Sequence, residues 1–363
     1  MKKGRSIVSI VTAISLIATV GLTFQGCNKS TTSAEGSKPY IAVVAKGFQF
    51  QYWQVVMDGA NKAADELGVE ITFDGPATES DIGSQVTMVN SALAKNPVAL
   101  ALAALDTDAV ISQLDQAKEK NIPVIGFDSG IPNAPEGSVA ATAATDSYKA
   151  AEIAADKLFA ESSFVEKVKA ATTTSPVVIA VLSQDATSDS IIQRTKGYIE
   201  KMKKNIEGVS GFEGSVDISG QTKYTAAATS EIKVKIVVNV PPTTAATDVQ
   251  QGAVSLLKKE GIIAIYGSNQ GATDGILSAS SDGSDFNKTD GKYKDIIAVG
   301  FDAGKGLKTA VAKGWFLGAI TQDPYSIGYN AVKLAFEASE GEDVSDVDTG
   351  AKWYDKTNMN DSD

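Results

Sequence analysis

From Tyr40 almost to its end, the chain alternates short β-branched runs with longer stretches whose apolar residues recur at helical spacing. The runs at 40–45, 69–73, 98–103 and 122–127 are too short for helices. They are also apolar enough to read as strands buried on both faces. Between them, 53–67 carries Val56, Ala60, Ala63, Ala64 and Leu67 at helical spacing, and helices are expected at 81–94 and 108–120 as well. An extended run at 139–144 closes this first series. A second series follows, with helices expected at 147–161, 187–204, 248–259, 271–280, 305–313 and 325–340. Its strands are expected at 177–182, 232–240, 262–266, 296–301 and 315–321. Strands alternating with helices imply parallel sheets with right-handed crossovers. Two such series predict an α/β protein of two doubly wound lobes. Segments 208–224 and 281–294 are rich in Gly, Ser and Asp and weakly periodic, so they read as surface excursions.

One motif occurs in both series. IGFDSG at 125–130 ends the fourth β run of the first, and VGFDAG at 299–304 ends the fourth of the second. Ligands of open α/β sheets sit beyond the carboxyl ends of the strands. Asp128 and Asp302 are therefore expected on opposite walls of one cleft. The loop at 46–53 holds Phe48, Phe50, Tyr52 and Trp53 between a strand and a helix start. Four aromatics there cannot all be core, and aromatic faces suit sugar rings and other flat ligands. Asn269 and Gln322 stand at further strand ends, and Arg194 lies on the helix after the second series' first strand. Carboxylate, amide and guanidinium groups together can satisfy vicinal hydroxyls. Asp106 reads as a helix cap instead.

Composition narrows the chemistry. The net charge of −11 lacks the basic footprint of a nucleic-acid binder. There is no histidine, and Cys27 is the sole cysteine, which removes the commonest general base and transition-metal ligand and leaves no thiolate nucleophile or thiolate metal cluster in the folded body. No enzyme, metal or cofactor is implied. The start is basic, then apolar over 7–22, then TFQGC at 23–27, the layout of an export leader. Residues 28–38 read as a flexible tether.

In its order of motifs the chain resembles the ribose/galactose-type substrate-binding proteins of bacterial sugar ABC transporters. Those motifs are DGA at 58–60, DTDA at 106–109, IPVIGFD at 122–128, TD at 145–146, RTKG at 194–197, GSN at 267–269, VGFD at 299–302 and ITQ at 320–322. The resemblance spans Tyr40 to about Asp348. It implies a type I periplasmic-binding-protein fold with three hinge crossovers near Asp146, Gln322 and Gly350. The lobes would be 39–145 with 323–350, and 146–322 with 351–363. It also implies ligand contacts at Tyr52, Trp53, Asp128, Arg194, Asn269, Asp302 and Gln322, to which the aromatic loop adds Phe50. Cys27 falls where bacterial lipoproteins are acylated, although Phe24 and Gln25 depart from the usual lipobox; a plain cleaved leader is the alternative. Against the ribose-specific pattern, Phe50 and Ala103 replace asparagines and Ser129 replaces an arginine. Those changes strip polar contacts from the first lobe, leaving open a deoxy or bulkier ligand as well as a common hexose. The expected protein is a lipid-anchored monomer outside the cytoplasmic membrane that delivers a monosaccharide or polyol to an ABC permease. The rival reading is a receptor for a nucleoside or furanone-type signal. The lactose-repressor family shares the core fold but has a DNA-binding helix-turn-helix where this chain has its leader.

Overall fold

The computed structural model describes residues 38–359. The leader, the tether up to residue 37 and Cys27 lie outside that range. In chain order the first series forms β1 (Tyr40–Val44), α1 (Gln51–Leu67), β2 (Glu70–Asp74), α2 (Ile82–Ala94), β3 (Ala99–Leu102), α3 (Ile111–Glu119), β4 (Val124–Phe127) and β5 (Ala141–Ala144). Next come α4 (Ser147–Phe159), α5 (Ser162–Lys169), β6 (Val177–Leu182), α6 (Asp189–Glu207), β7 (Val216–Gly220), β8 (Val234–Asn239), α7 (Ala246–Leu257), β9 (Ile262–Gly267) and α8 (Gln270–Ser278). The remainder is β10 (Ile297–Phe301), α9 (Lys305–Ala312), β11 (Phe316–Gln322), α10 (Pro324–Ser339), β12 (Val347–Asp348) and β13 (Ala351–Asp355).

The strands form two sheets. One has the order β12-β5-β4-β3-β1-β2 and is wholly parallel. The other runs β13-β11-β10-β9-β6-β8-β7 and is parallel except for the antiparallel β11–β13 pair. The chain passes between the sheets three times: from β5 to α4, from β11 to α10 and from β12 to β13. At two of these passages the next helix packs against the helix that follows its lobe's first strand, α4 on α6 and α10 on α1. Both contacts are made by glycine. A Cβ on Gly197 of α6 would lie 2.2 Å from the Tyr148 carbonyl oxygen, and one on Gly59 of α1 would lie 2.0 Å from that of Tyr325. These glycines belong to the RTKG and DGA motifs, whose spacing therefore records helix contact as well as ligand contact.

Three expectations need correcting. The stretch 208–224 contains β7, an edge strand whose Val216 and Ile218 are buried against β8. With only two apolar residues and glycines at 214 and 220, it gives too weak an alternation to read as a strand. As a result β10 is the fifth strand of the second series in chain order. In space, β8-β6-β9-β10 still mirrors β2-β1-β3-β4, with β7 added outside. The stretch 281–294 is not purely a surface excursion, because Phe286 is fully buried and meets Phe316 edge-on at 5.5 Å. The eight-residue α5 was not foreseen; it is anchored by buried Phe164 and Val168 and half-buried Val165.

Candidate functional site

The carboxyl ends of β1, β4, β9, β10 and β11 converge on a cleft between the two sheets. Asp128 and Asp302 both adopt left-handed backbone conformations, with φ of 57° and 69°, which side-chain-bearing residues adopt rarely. Each is held by a ladder bond across its sheet, from the Asp128 N–H to the Ala143 carbonyl and from the Asp302 N–H to that of Ile320. Strain of this kind, repeated at equivalent places, marks a position where the direction of a side chain matters.

The second-lobe wall is a closed network. Arg194 is buried, lies 4.1 Å over the Phe301 ring and donates to Gln322 Oε1 at 2.8 Å. Gln322 Nε2 donates to Asp302 Oδ1 at 2.7 Å, and Asp302 Oδ2 accepts the N–H of Gln270 at 2.8 Å. Asn269 caps α8 by accepting from the Ala272 N–H, and its amide donates to Gln184 at 2.5 Å. Arg194, Asn269, Asp302 and Gln322 are thus brought together as the sequence suggested. Asp106 sits apart and caps the turn before α3, accepting from the N–H groups of Asp108 and Ala109.

The first-lobe wall differs from expectation. Tyr52 donates its hydroxyl to Asp128 Oδ1 at 2.5 Å, whereas Trp53 is only 1% exposed and packs edge-on to Phe127. Only the indole edge of Trp53 reaches the cleft, where its N–H donates to Glu79 at 2.7 Å. Phe50 crosses to the second lobe: its ring tip stands 2.9 Å from where a side chain on Gly271 would begin. Lys46, which follows β1 directly, was missed by the sequence reading. Its buried ammonium pairs with Asp128 Oδ2 at 2.8 Å and reaches across the cleft to the hydroxyls of Ser190, at 3.1 Å, and Ser188, at 3.4 Å. Glu79 was missed too, and accepts from Gln184 of the second lobe at 2.7 Å. The first lobe is therefore not stripped of polar groups, as Phe50, Ala103 and Ser129 had implied. Lys46 and Glu79 restore them, and Ser129 accepts the N–H of Ser190 at the start of α6. A lone lysine after a strand and a glutamate in a loop carry no distinguishing signal in sequence.

Electrostatics follow from burial and pairing. Burial opposes charge on Asp128, but the cations of Lys46 and Arg194 outweigh it and hold its carboxyl below the usual range. Burial likewise opposes the Lys46 ammonium, and the carboxylates of Asp128 and Glu79 outweigh that, leaving it raised. For Glu79 burial wins, and its carboxyl is raised. On α8, burial pushes Asp274 up to about 6 despite a hydrogen bond with Gln270. Between the ordinary value of 3.8 and that of 6, the folded chain binds this proton more tightly than the unfolded one. Its contribution to stability therefore falls as pH rises through that window. Asp274→Asn is expected to stabilise the protein by about 1–2 kcal/mol at pH 7.5 and to reduce the slope of stability between pH 4 and 7. Urea denaturation across pH checks this; parallel curves for the two proteins would refute it.

The geometry is that of a two-walled cleft in which Lys46 and Arg194 each face an aspartate, rimmed by donors and acceptors. The chain matches the periplasmic binding protein domain family over residues 41–343. It is 24% identical over 326 residues to the D-allose-binding periplasmic protein of Escherichia coli (strain K12), covering 88% of this chain and 90% of that protein. A solved structure described as an ABC transporter, LacI family transcriptional regulator from Brachyspira murdochii is 40% identical, with a TM-score of 0.73 over 89% of this chain and 96% of that one. An ABC transporter solute-binding protein from Agrobacterium vitis, solved with bound D-fucose, is 27% identical with a TM-score of 0.72 over 89% of this chain and 97% of that one. Two parallel-sheet lobes, three passages between them and a match over most of the chain lead to one conclusion: the protein belongs to the periplasmic binding protein family.

Proposed function

We propose that this protein is an extracytoplasmic solute-binding protein that captures a sugar between its lobes and delivers it to an ABC transporter permease. It is a binding protein and not an enzyme. The observation that carries the sugar reading is the pairing of charge in the cleft. Lys46 is matched by Asp128, and Arg194 lies 3.9 Å from Asp302, while the Glu79 carboxyl, raised by burial, accepts from Trp53 and Gln184. The two cations of the cleft thus each face a carboxylate, and a neutral ligand rich in hydroxyls meets donors and acceptors. Relatives with D-allose and D-fucose in their descriptions agree with it. The nucleoside or furanone alternative needs a free aromatic platform. Trp53 is committed to the core and Phe50 to Gly271, so of Phe50, Tyr52 and Trp53 only the Tyr52 ring is left to stack on, which disfavours it.

Tyr52, Asp128, Arg194, Asn269, Asp302 and Gln322 are proposed to meet the sugar, joined by Lys46 and Glu79. Phe50 and Trp53 act by packing around it. Closure would be a hinge motion at the three passages, between lobes built from 39–145 with 323–350 and from 146–322 with 351–363. The reading extends to a monomer held at the membrane by a lipid on Cys27; a Cys27→Ser chain would then leave the membrane fraction for the unanchored extracytoplasmic one. A thermal-shift panel of D-allose, D-fucose, D-arabinose, D-ribose and nucleosides tests the main reading. A sugar at a hundred times its Kd should add about 2.7 kcal/mol, and Arg194→Ala should abolish the shift. Response to nucleosides alone would sink the sugar assignment.

A further inference from the structure

We propose that the cleft continues into a second subsite, a side chamber between α1 and α9 that takes a sugar ring glycosidically attached to the one at Asp302 and Arg194. The preferred ligand would then be a disaccharide or glycoside and not a free monosaccharide. This deepens the carbohydrate reading above and rests on it.

Three observations carry the inference. First, space: between Lys46, Asp128 and Asp302 the cleft holds about 20 Å³, less than a sugar ring occupies, so the lobes must part to admit the inner ring, whereas the chamber beside it already offers about 200 Å³. Tyr52, Gln270, Asp302 and Gln322 form walls of both, so a ligand bonded to Asp302 from the inner side leads directly into the chamber. Second, surface chemistry: the Tyr52 ring, Val55 and Pro324 give an apolar wall, and Gln51, Gln270 and Lys308 a polar one. A pyranose is amphipathic in the same way, with C–H faces that pack on aromatic and aliphatic surface and a rim of hydroxyls that seek donors and acceptors. Lys308 is exposed and forms no ion pair among the described residues. Its ammonium can therefore donate to ring hydroxyls. At Gly304 a side chain would press within 3.1 Å of the Gln270 amide, and glycine there keeps the wall open. Third, continuity: past Ala303, Lys308 and Thr321 the chamber opens into a groove of about 330 Å³, so the attached unit meets no blocking wall.

The test is calorimetric titration of the purified protein with its best monosaccharide, the methyl glycoside of that sugar and disaccharides carrying it at either end. At least one disaccharide should bind about tenfold or more tighter than the monosaccharide. Ala303→Trp, at an exposed position outside the inner site, should fill the chamber. It is expected to erase the disaccharide's advantage while leaving the monosaccharide Kd within about twofold, and Val55→Trp should do the same from the opposite wall. If the monosaccharide binds as tightly as every glycoside and neither variant changes anything, the subsite falls while the sugar-binding reading stands. Equal weakening of both ligand sizes by both variants would also overturn it, since the effect would then come from the inner site. If no carbohydrate of either size binds, both readings fall.

Discussion

Replacing Lys46 with methionine is expected to destabilise the folded protein by about 3–5 kcal/mol, the range seen when one partner of a buried ion pair is removed. Methionine fills a similar volume, so the loss reflects the ammonium and its bonds and not a cavity. It would leave the Asp128 carboxylate, 3% exposed, with the Tyr52 hydroxyl as its remaining side-chain partner. The bonds from Lys46 to Ser188 and Ser190 would go as well, so sugar affinity should fall along with stability. Adding Asp128→Asn to Lys46→Met should recover much of the stability, since the orphaned charge is then gone; that coupling is read in a double-mutant cycle. Asp128 has a depressed carboxyl and Lys46 a raised ammonium. The carboxylate's share of stability is present above its unfolded value and lost as pH falls through the lower folded one. The lysine's share is present below its unfolded value and lost as pH rises through the higher folded one. The pair therefore holds throughout the neutral range. A Lys46→Met penalty below about 1 kcal/mol in urea denaturation, the scale of an exposed pair, would show that the two groups are not paired in solution.

The second large effect is expected at Gly197. Alanine there would place its Cβ 2.2 Å from the Tyr148 carbonyl oxygen, well inside contact distance, and backbone on both sides cannot yield as a flexible side chain could. Helices α4 and α6 would have to separate, at a cost of about 2–3 kcal/mol, toward the upper end of overpacking effects. The displacement would also move Arg194, one turn earlier on α6, relative to Gln322 and Ser147, to which it is bonded. Gly197→Ala should therefore weaken sugar binding although residue 197 touches no ligand. Gly59→Ala should destabilise to a similar degree through α1 and α10. A Gly197→Ala protein with unchanged midpoint and affinity would show that the helices are less tightly docked than described.

These two positions also show what the sequence could and could not disclose. The repeated Gly-Phe-Asp motif pointed to Asp128 and Asp302 because its strands are short, uniformly apolar and followed by glycine, signals that are local. Gln322 was marked by its place at a strand end, whereas Arg194 gained weight through a resemblance in motif order, since helical periodicity alone would leave an arginine exposed. Lys46, Glu79 and Gln184 stayed hidden for a common reason. Each is polar and next to a loop, and each is bonded across the cleft to the opposite lobe, which is information spread over more than a hundred residues of chain. Strand β7 was missed on weaker grounds: two buried residues in a five-residue edge strand fall below what alternation can reveal. Trp53 looked like a ligand platform by composition, yet its ring is needed to seat α1 on the sheet.

Because α10 and β12 belong to the first sheet although they come after the whole of the second, the order of synthesis does not match the order of completion. Helix α10 supplies Ile327, Ala331, Val332, Leu334 and Ala335 to the core that Ile41, Val43 and Ile125 began. As the chain emerges, β1 to β5 must wait with one face covered by α1 alone until residues near 335 arrive. Contacts of that sequence separation are slow to form, and a ribosome stalled or a protease cutting near residue 322 would leave a sticky, half-built first lobe beside a second one that lacked only β13. The far end of the chain thus controls when its beginning becomes soluble.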